Sequence, residues 1–385
     1  MAPRALARVN LAAIERNCAR LRRELDEATT LCAVVKADGY GHGAVPSARA
    51  ALAGGASWLA VATAHEAAEL RRAGLGGPIL VMGALSGEEI GTALDAGADI
   101  VAWRAGFVAR LAEHAAQRQA TGPRPAGPDQ VRVHVKLDTG MGRLGTRDPR
   151  EASAVLDAAA SSPGLAPAGA MTHFATADEP NDAFFGEQLG RFCEWVSEVK
   201  ERHPGVLVHA ANSAATLRDA AAHFDMVRCG IAVYGLDPLN ADPAARALEP
   251  ALELRSWVAD VKPCVAGQSA GYGRRFIAER DTTLGVLPIG YGDGWRRALT
   301  NNADALIGGR RYPQVGTVSM DNVIVDLGPE PSVHPGEEAV LIGPDGGEQI
   351  TAEEVARRLA TINYEVTCGL LPRVPRAYHR DGEPA

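Results

Sequence analysis

Apolar residues follow two different rhythms along this chain, and the change between them comes just after Tyr234. Before it, short apolar runs alternate with stretches of helical period, which predicts strands near 31–36, 57–62, 78–82, 99–103, 131–137, 167–172, 206–210 and 224–228. Ahead of them, Leu11, Ile14, Cys18, Leu21 and Leu25 share one side of a helix predicted from Asn10 to Glu27. The helix starts between strands are well marked. Thr63-Ala64-His65-Glu66 and Ser86-Gly87-Glu88-Glu89 have the spacing of capping boxes, and Asp148-Pro149 pairs a cap with proline at the first helical position. Eight strands alternating with helices over roughly 230 residues have the count and length of a (β/α)8 barrel. A doubly wound open sheet is the competitor, and no G-x-G-x-x-G fingerprint supports it.

Beyond Tyr234 the helical period fades. Gly235 to Pro250 holds three prolines and little periodicity, which marks a domain junction. Strand-like runs follow at Leu252–Val261, Thr282–Ile289, Tyr312–Val318, Val323–Leu327 and Glu338–Ile342, with one helix from Thr351 to Leu359 behind a further Thr-x-x-Glu box. The expected organisation is a barrel domain over 1–245 and a β-rich domain over 246–385. The segment Arg4–Val9 is a strand that could pack with either. Gln119 to Pro128, rich in Pro and Gly, reads as a loop.

Composition narrows the partners. The net charge is −8 and the basic pairs are scattered, so nucleic acid is not an expected ligand. The first residues lack the apolar core of a signal peptide, and no apolar run approaches the roughly 20 residues that span a bilayer. The 6 cysteines lack C-x-x-C spacing, which suits a reduced, cytoplasmic protein.

Polar residues at strand ends carry the chemistry, because catalytic groups of a (β/α)8 barrel collect at the C-terminal rim. Lys36 ends the first strand and runs into Ala37-Asp38-Gly39-Tyr40-Gly41-His42-Gly43. An amine held there can lose its proton and condense with a carbonyl, as Schiff-base lysines do. The three glycines would let backbone approach a ligand, and Tyr40 could donate its hydroxyl to an anion. Strand five gives Lys136 and Asp138-Thr139-Gly140-Met141-Gly142-Arg143, and strand six ends at Thr172-His173. Strand seven leads to His209-Ala210-Ala211-Asn212-Ser213 and strand eight to Arg228-Cys229-Gly230-Ile231. Each has a plainer alternative: a packed histidine at His173, an ion pair of Arg228 with Asp225 or of Lys136 with Asp138, a helix cap at Asn212-Ser213. That cap would itself form an anion site, extended by the backbone N–H groups of Gly230 and Ile231. A lysine at strand one and a phosphate cradle at strands seven and eight suit pyridoxal 5′-phosphate.

Taken in order, these segments resemble the alanine racemase family. Val-Val-Lys-Ala-Asp-Gly-Tyr-Gly-His-Gly looks like its cofactor-lysine signature, and Lys-x-Asp-Thr-Gly-Met-Gly-Arg-Leu-Gly, Thr-His-Phe-Ala, Asn-Ser-Ala-Ala-Thr and Val-Arg-x-Gly-Ile follow in sequence. The second domain continues the likeness with Gly271-Tyr272-Gly273, Gly290-Tyr291-Gly292-Asp293-Gly294, Val318-Ser319-Met320-Asp321, Asn363-Tyr364-Glu365 and Pro372-Arg373-Val374-Pro375-Arg376.

The resemblance implies a pyridoxal 5′-phosphate-dependent racemase that interconverts L- and D-alanine and supplies D-alanine for peptidoglycan. Lys36 would carry the cofactor and act as base on D-alanine, with Tyr272 as the opposing base on L-alanine. An ordinary tyrosine, with a pKa of about 10, is a poor base at neutral pH. His173, with Arg228 behind it, would assist. Arg228 would face the pyridine nitrogen, where its fixed charge disfavours a second one. Tyr40, Ser213, Gly230, Ile231 and Tyr364 would hold the phosphate, with Asn212 beside them. Arg143 would contact the substrate carboxylate or the cofactor's phenolic oxygen, and Lys136 is a candidate for carbamylation. The family further implies a homodimer in which Tyr272 and Met320 reach the partner's site. Asp178, Tyr291 and Arg297 match residues at its entrance.

One departure stands out. The family commonly reads Gly-Arg-Val where this chain has Gly316-Thr317-Val318, which leaves room for other small amino acids. The sequence also admits two other readings: a basic amino-acid decarboxylase of the same fold, separated by CO₂ release, and a non-catalytic cofactor carrier, which would resemble the barrel alone.

Overall fold

The computed structural model describes residues 3–121 and 130–385. The predicted loop at 119–128 therefore lies mostly outside the described residues, and residues up to Thr121 close the helix Ala105–Thr121. The chain divides into two compact units. One comprises Ile14–Gly39 and Ala44–Val233; the other gathers the residues through Ala13, Tyr40–Gly43 and Tyr234–Ala385.

The first unit is a closed parallel barrel. After an N-terminal strand β1 (Leu6–Asn10), which belongs to the other unit, its strands are β2 (Thr30–Val34), β3 (Trp58–Val61), β4 (Ile79–Val81), β5 (Asp99–Ala102), β6 (Val131–Lys136), β7 (Leu165–Met171), β8 (Leu207–His209) and β9 (Met226–Cys229). Among the described residues these eight pair in sequence order, and β9 closes on β2 with Cys32 opposite Arg228. All eight predicted strands are present. Their apolar runs are short because both faces are covered, as parallel strands require; β3, β4 and β5 are buried along their whole length. The helices begin where the caps placed them. Thr63 and Glu66 form a reciprocal capping box, as do Ser86 and Glu89. The Asp148 side chain accepts the Arg150 N–H at 2.9 Å with Pro149 in the first turn.

The second unit is built on a sheet of eleven strands among the described residues. β1 sits inside it, antiparallel to Leu252–Trp257 and parallel to Arg376–Arg380. The single predicted strand 252–261 divides into Leu252–Trp257 and Asp260–Cys264. Strands at Asp304–Ile307, Glu348–Ile350 and Arg376–Arg380 were not apparent in the pattern, nor was the short helix Asn363–Cys368. The helix Ala352–Arg358 starts on Thr351, whose Oγ1 accepts the Glu354 N–H at 3.1 Å. The expected reciprocal half of that box is otherwise engaged, since the Glu354 carboxylate pairs with Arg311 and Arg358.

Candidate active site

Lys36 stands just past β2, and the chain then makes a left-handed turn. Ala37, Asp38, Gly39 and Tyr40 have φ of 52°, 53°, 61° and 53°. Three of these are not glycine, and each L-residue in that region costs roughly 1–2 kcal/mol. Local bonds hold the turn: the Gly39 N–H reaches the Val35 carbonyl at 3.0 Å, the Ala37 N–H reaches Glu66 Oε1 at 2.7 Å, and Asp38 Oδ1 accepts the Ala44 N–H at 2.9 Å. The glycines beyond lie close against protein. A Cβ at Gly41 would lie 2.1 Å from the Thr367 carbonyl oxygen, and one at Gly43 would lie 2.0 Å from Tyr378 Oη. At these two positions the missing Cβ admits neighbouring protein. In the same unit the Tyr40 ring packs 5.2 Å from that of Tyr234 and 6.1 Å from that of Tyr364.

At the barrel rim, strand direction and loop hydrogen bonds fix the remaining groups. Lys136 is the last residue of β6 and is buried. Asp138 is not its partner: the carboxylate accepts the Gly140 and Gly142 N–H groups at 3.1 and 3.0 Å and pairs with Arg147. That leaves Lys136 in a cationic setting. Burial, then Arg228 and Arg143, push its pKa down to about 8, with Asp138 opposing. Arg228, on β9, is also buried, and burial lowers it to about 10. It does not pair with Asp225, which is bound to Lys200 and the Val208 N–H. Its guanidinium donates instead to neutral acceptors: His209 Nδ1 at 2.9 Å, the Thr172 and Ala210 carbonyls at 2.8 and 3.0 Å, and His173 Nδ1 at 3.3 Å. Arginine only donates, so His173 carries its proton on Nε2. Burial, and after it Arg228, Lys136, Arg143 and Lys36, hold His173 well below the ordinary histidine pKa. Four cations thus converge on one rim, and the donor set suits an anion.

At the last two strands, Asn212 caps the helix Ser213–Arg218 through the Ala215 N–H at 2.9 Å. Ser213 Oγ accepts the Gly230 and Ala232 N–H groups at 3.0 and 3.3 Å. The Gly230 amide is therefore engaged by Ser213, whose side chain also bonds that of Cys229. Ile231 is buried beside them, while Arg143 and Asp178 are exposed on the loops after β6 and β7.

The second unit carries the other predicted residues. Tyr272 is 72% exposed and Met320 52%; Tyr291 and Arg297 are also exposed, and Tyr364 is half-buried. Thr317, taken from the sequence as a feature of the entrance, is buried, and its Oγ1 donates to the Tyr272 carbonyl at 2.6 Å.

Two polar residues inside the barrel, Asp99 and His134, escaped the sequence reading, while His209 stands at the strand end where it was read. Behind Arg228, His209 contacts His134, and His134 contacts Asp99. All three are buried. Period two along Arg132-Val133-His134-Val135-Lys136 places Arg132, His134 and Lys136 on one face. Had that face been followed back from Lys136, His134 would have been found.

Fold and rim together define a (β/α)8-barrel enzyme whose strand ends gather Lys36, Lys136, Arg143 and Arg228 around His173. The family model for the alanine racemase N-terminal domain matches residues 9–238, and that for the C-terminal domain matches 251–378. The alanine racemase of Halalkalibacterium halodurans is 42% identical over 380 residues, covering 97% of this chain and 95% of its own. Alanine racemase 1 of Bacillus subtilis is 39% identical over 378 residues, 98% and 93% of the two chains. Among solved structures, alanine racemase from Bacillus anthracis with bound L-Ala-P superimposes with a TM-score of 0.89 at 36% identity, covering 100% of this chain and 97% of that one. The Streptomyces lavendulae enzyme gives 0.91 at 35%, covering 98% of each. This chain belongs to the alanine racemase family.

Proposed function

We propose that this protein is an alanine racemase, interconverting L- and D-alanine with pyridoxal 5′-phosphate as cofactor. The observation that carries the reading is the set Lys36, Lys136, Arg143 and Arg228 around a neutral His173. Such a rim fits a phosphorylated aldehyde: cations for its charge, a buried hydroxyl at Ser213, and an amine at Lys36 to receive it. When bound, the cofactor supplies the electron-withdrawing ring that makes the α-proton of an amino acid removable.

The protein's own groups then do the proton work. Lys36 Nζ exchanges the α-proton on one face of the substrate. Tyr272 Oη of the partner subunit exchanges it on the other, which makes inversion a direct consequence of having two bases. His173, with its proton on Nε2, is a donor suited to a phenolate oxygen. Arg228 presents a fixed positive charge to the ring nitrogen, and Arg143 orients the carboxylate. The homodimer is supported by what a single chain leaves uncovered: Tyr272, Met320 and Tyr291 are large apolar surfaces exposed by 72%, 52% and 39%. Among the described residues no helix is long and apolar enough to cross a membrane, and Cys18, Cys32, Cys193, Cys229 and Cys264 are free thiols, in keeping with a cytoplasmic enzyme.

The test is direct. The purified protein with the cofactor should convert L-alanine to the racemic mixture by chiral chromatography, without CO₂ release. Lys36→Ala should abolish the conversion. Release of CO₂ in place of D-alanine would overturn the reading.

A further inference from the structure

A row of buried polar side chains crosses the barrel interior, where branched apolar residues normally fill the layers. It starts at Asp99, the first residue of β5, passes His134 on β6 and His209 on β8, and ends at Arg228 on β9. The contacts are Asp99 Oδ2 to His134 Nε2 at 2.9 Å, His134 Nδ1 to His209 Nε2 at 2.8 Å, and His209 Nδ1 to Arg228 Nη1 at 2.9 Å.

Their direction follows from donor capacity alone. Arg228 has no acceptor, so it donates and His209 Nδ1 accepts. His209 must then hold its proton on Nε2 and give that hydrogen bond to His134 Nδ1. His134 in turn holds its proton on Nε2 and donates to Asp99. Each histidine is fixed in one tautomer, and the row is polarised from a guanidinium at one end to a carboxylate at the other. The wall is shaped for it as well. Gly169 on β7 pairs with His134, and a Cβ there would lie 2.0 Å from His134 Nδ1. Arg132, on the same face of β6 as His134, also pairs with Asp99 Oδ2, at 2.9 Å.

We infer that Asp99 is a positioning residue for Arg228, acting through the directed hydrogen bonds of His134 and His209. With the acceptor at its far end the row admits one arrangement of protons, and the guanidinium is held in one pose. Without that acceptor His134 is free to reverse, His209 can reverse with it, and Arg228 then meets an N–H where it needs an acceptor. This inference rests on the reading that Arg228 faces the cofactor ring.

The experiment uses ¹⁵N-histidine-labelled holoenzyme together with kinetics on four variants. Long-range ¹H–¹⁵N spectra of the wild type should show His134 and His209 as Nε2–H tautomers. Asp99→Leu should lose that uniform pattern and lower kcat about ten- to a hundredfold, the range typical of removing an outer partner of a fixed imidazole, with KM for alanine within about threefold. Asp99→Asn, whose carbonyl oxygen can face both His134 and Arg132, should keep both tautomers and restore most of kcat. Arg132→Gln should leave tautomers and kcat unchanged within about twofold.

An Nδ1–H tautomer at either histidine of the wild type would overturn the proposal even if Asp99→Leu failed to fold. So would wild-type kcat in Asp99→Leu, or an equal loss in Arg132→Gln, which would make Asp99 only an anchor for that arginine. Wild-type turnover in Arg228→Lys would instead sink the reading of Arg228 itself.

Discussion

Glu66 accepts the backbone N–H of Ala37 at 2.7 Å through Oε1, while its Oε2 takes those of Ala62 and Thr63 at 2.8 and 3.1 Å. One carboxylate thus caps a helix and clamps the left-handed turn behind Lys36. Glu66→Ala should lower stability by about 1–3 kcal/mol, from a lost cap and an amide left without its acceptor, as read by urea denaturation. It should also weaken retention of the cofactor. A variant less stable but with unchanged cofactor affinity would show that the turn holds itself.

Lys136 gives a prediction with a definite sign. Its folded pKa of about 8 lies below the ordinary lysine value of about 10.4, so the buried ammonium destabilises the fold below pH 8. That penalty, up to about 3 kcal/mol, fades as pH rises from 8 toward 10.4. In bicarbonate-free buffer at pH 7, Lys136→Met should therefore be the more stable protein. Added bicarbonate should stabilise the wild type alone, because the neutral amine can add CO₂ and release one N–H proton to the buffer, becoming a carbamate anion among cations. A ¹³C carbamate resonance absent from Lys136→Met would accompany it; equal melting of both proteins with and without bicarbonate would refute modification.

Thr317 holds the loop of the proposed second base. Thr317→Val removes the donor to the Tyr272 carbonyl, and kcat for L-alanine should fall about tenfold, as expected when a positioning hydrogen bond is lost. A larger primary deuterium isotope effect should accompany that fall. Thr317→Ser should recover most of it. Equal activity of all three proteins would return Thr317 to a packing role.

The shared site is tested by mixing. Lys36→Ala and Tyr272→Ala subunits, each inactive alone, should regain up to about a quarter of wild-type activity after random exchange of a twofold dimer. No recovery after proven exchange would place both bases on one chain.

Much of the barrel was legible because its signals are local. Each strand is a short apolar run between caps, and Thr63, Ser86 and Asp148 start their helices as read. The second unit was harder, because its strands depend on distant partners. Arg376–Arg380 is half-buried along most of its length and becomes a strand only by lying beside Leu6–Asn10. At the site, residues at strand ends were found and those inside strands were missed. Asp99 and His134 look like polar interruptions of β-rich runs, and nothing in their neighbours tells which way they point. The left-handed φ of Ala37 and Asp38 was equally hidden, since one of the bonds that holds the turn comes from Glu66, twenty-nine positions away from Ala37.

The notch at Gly169 has a practical outcome for anyone engineering this scaffold. Replacing glycine by alanine is a routine route to heat tolerance, and at Gly190, within the helix Phe184–Arg202 and with open space around it, the exchange should add up to about 1 kcal/mol. The same exchange on β7 would thrust a methyl group into an imidazole. Hardiness can be bred into the outer helices of this enzyme, whereas the inner wall admits no such trimming.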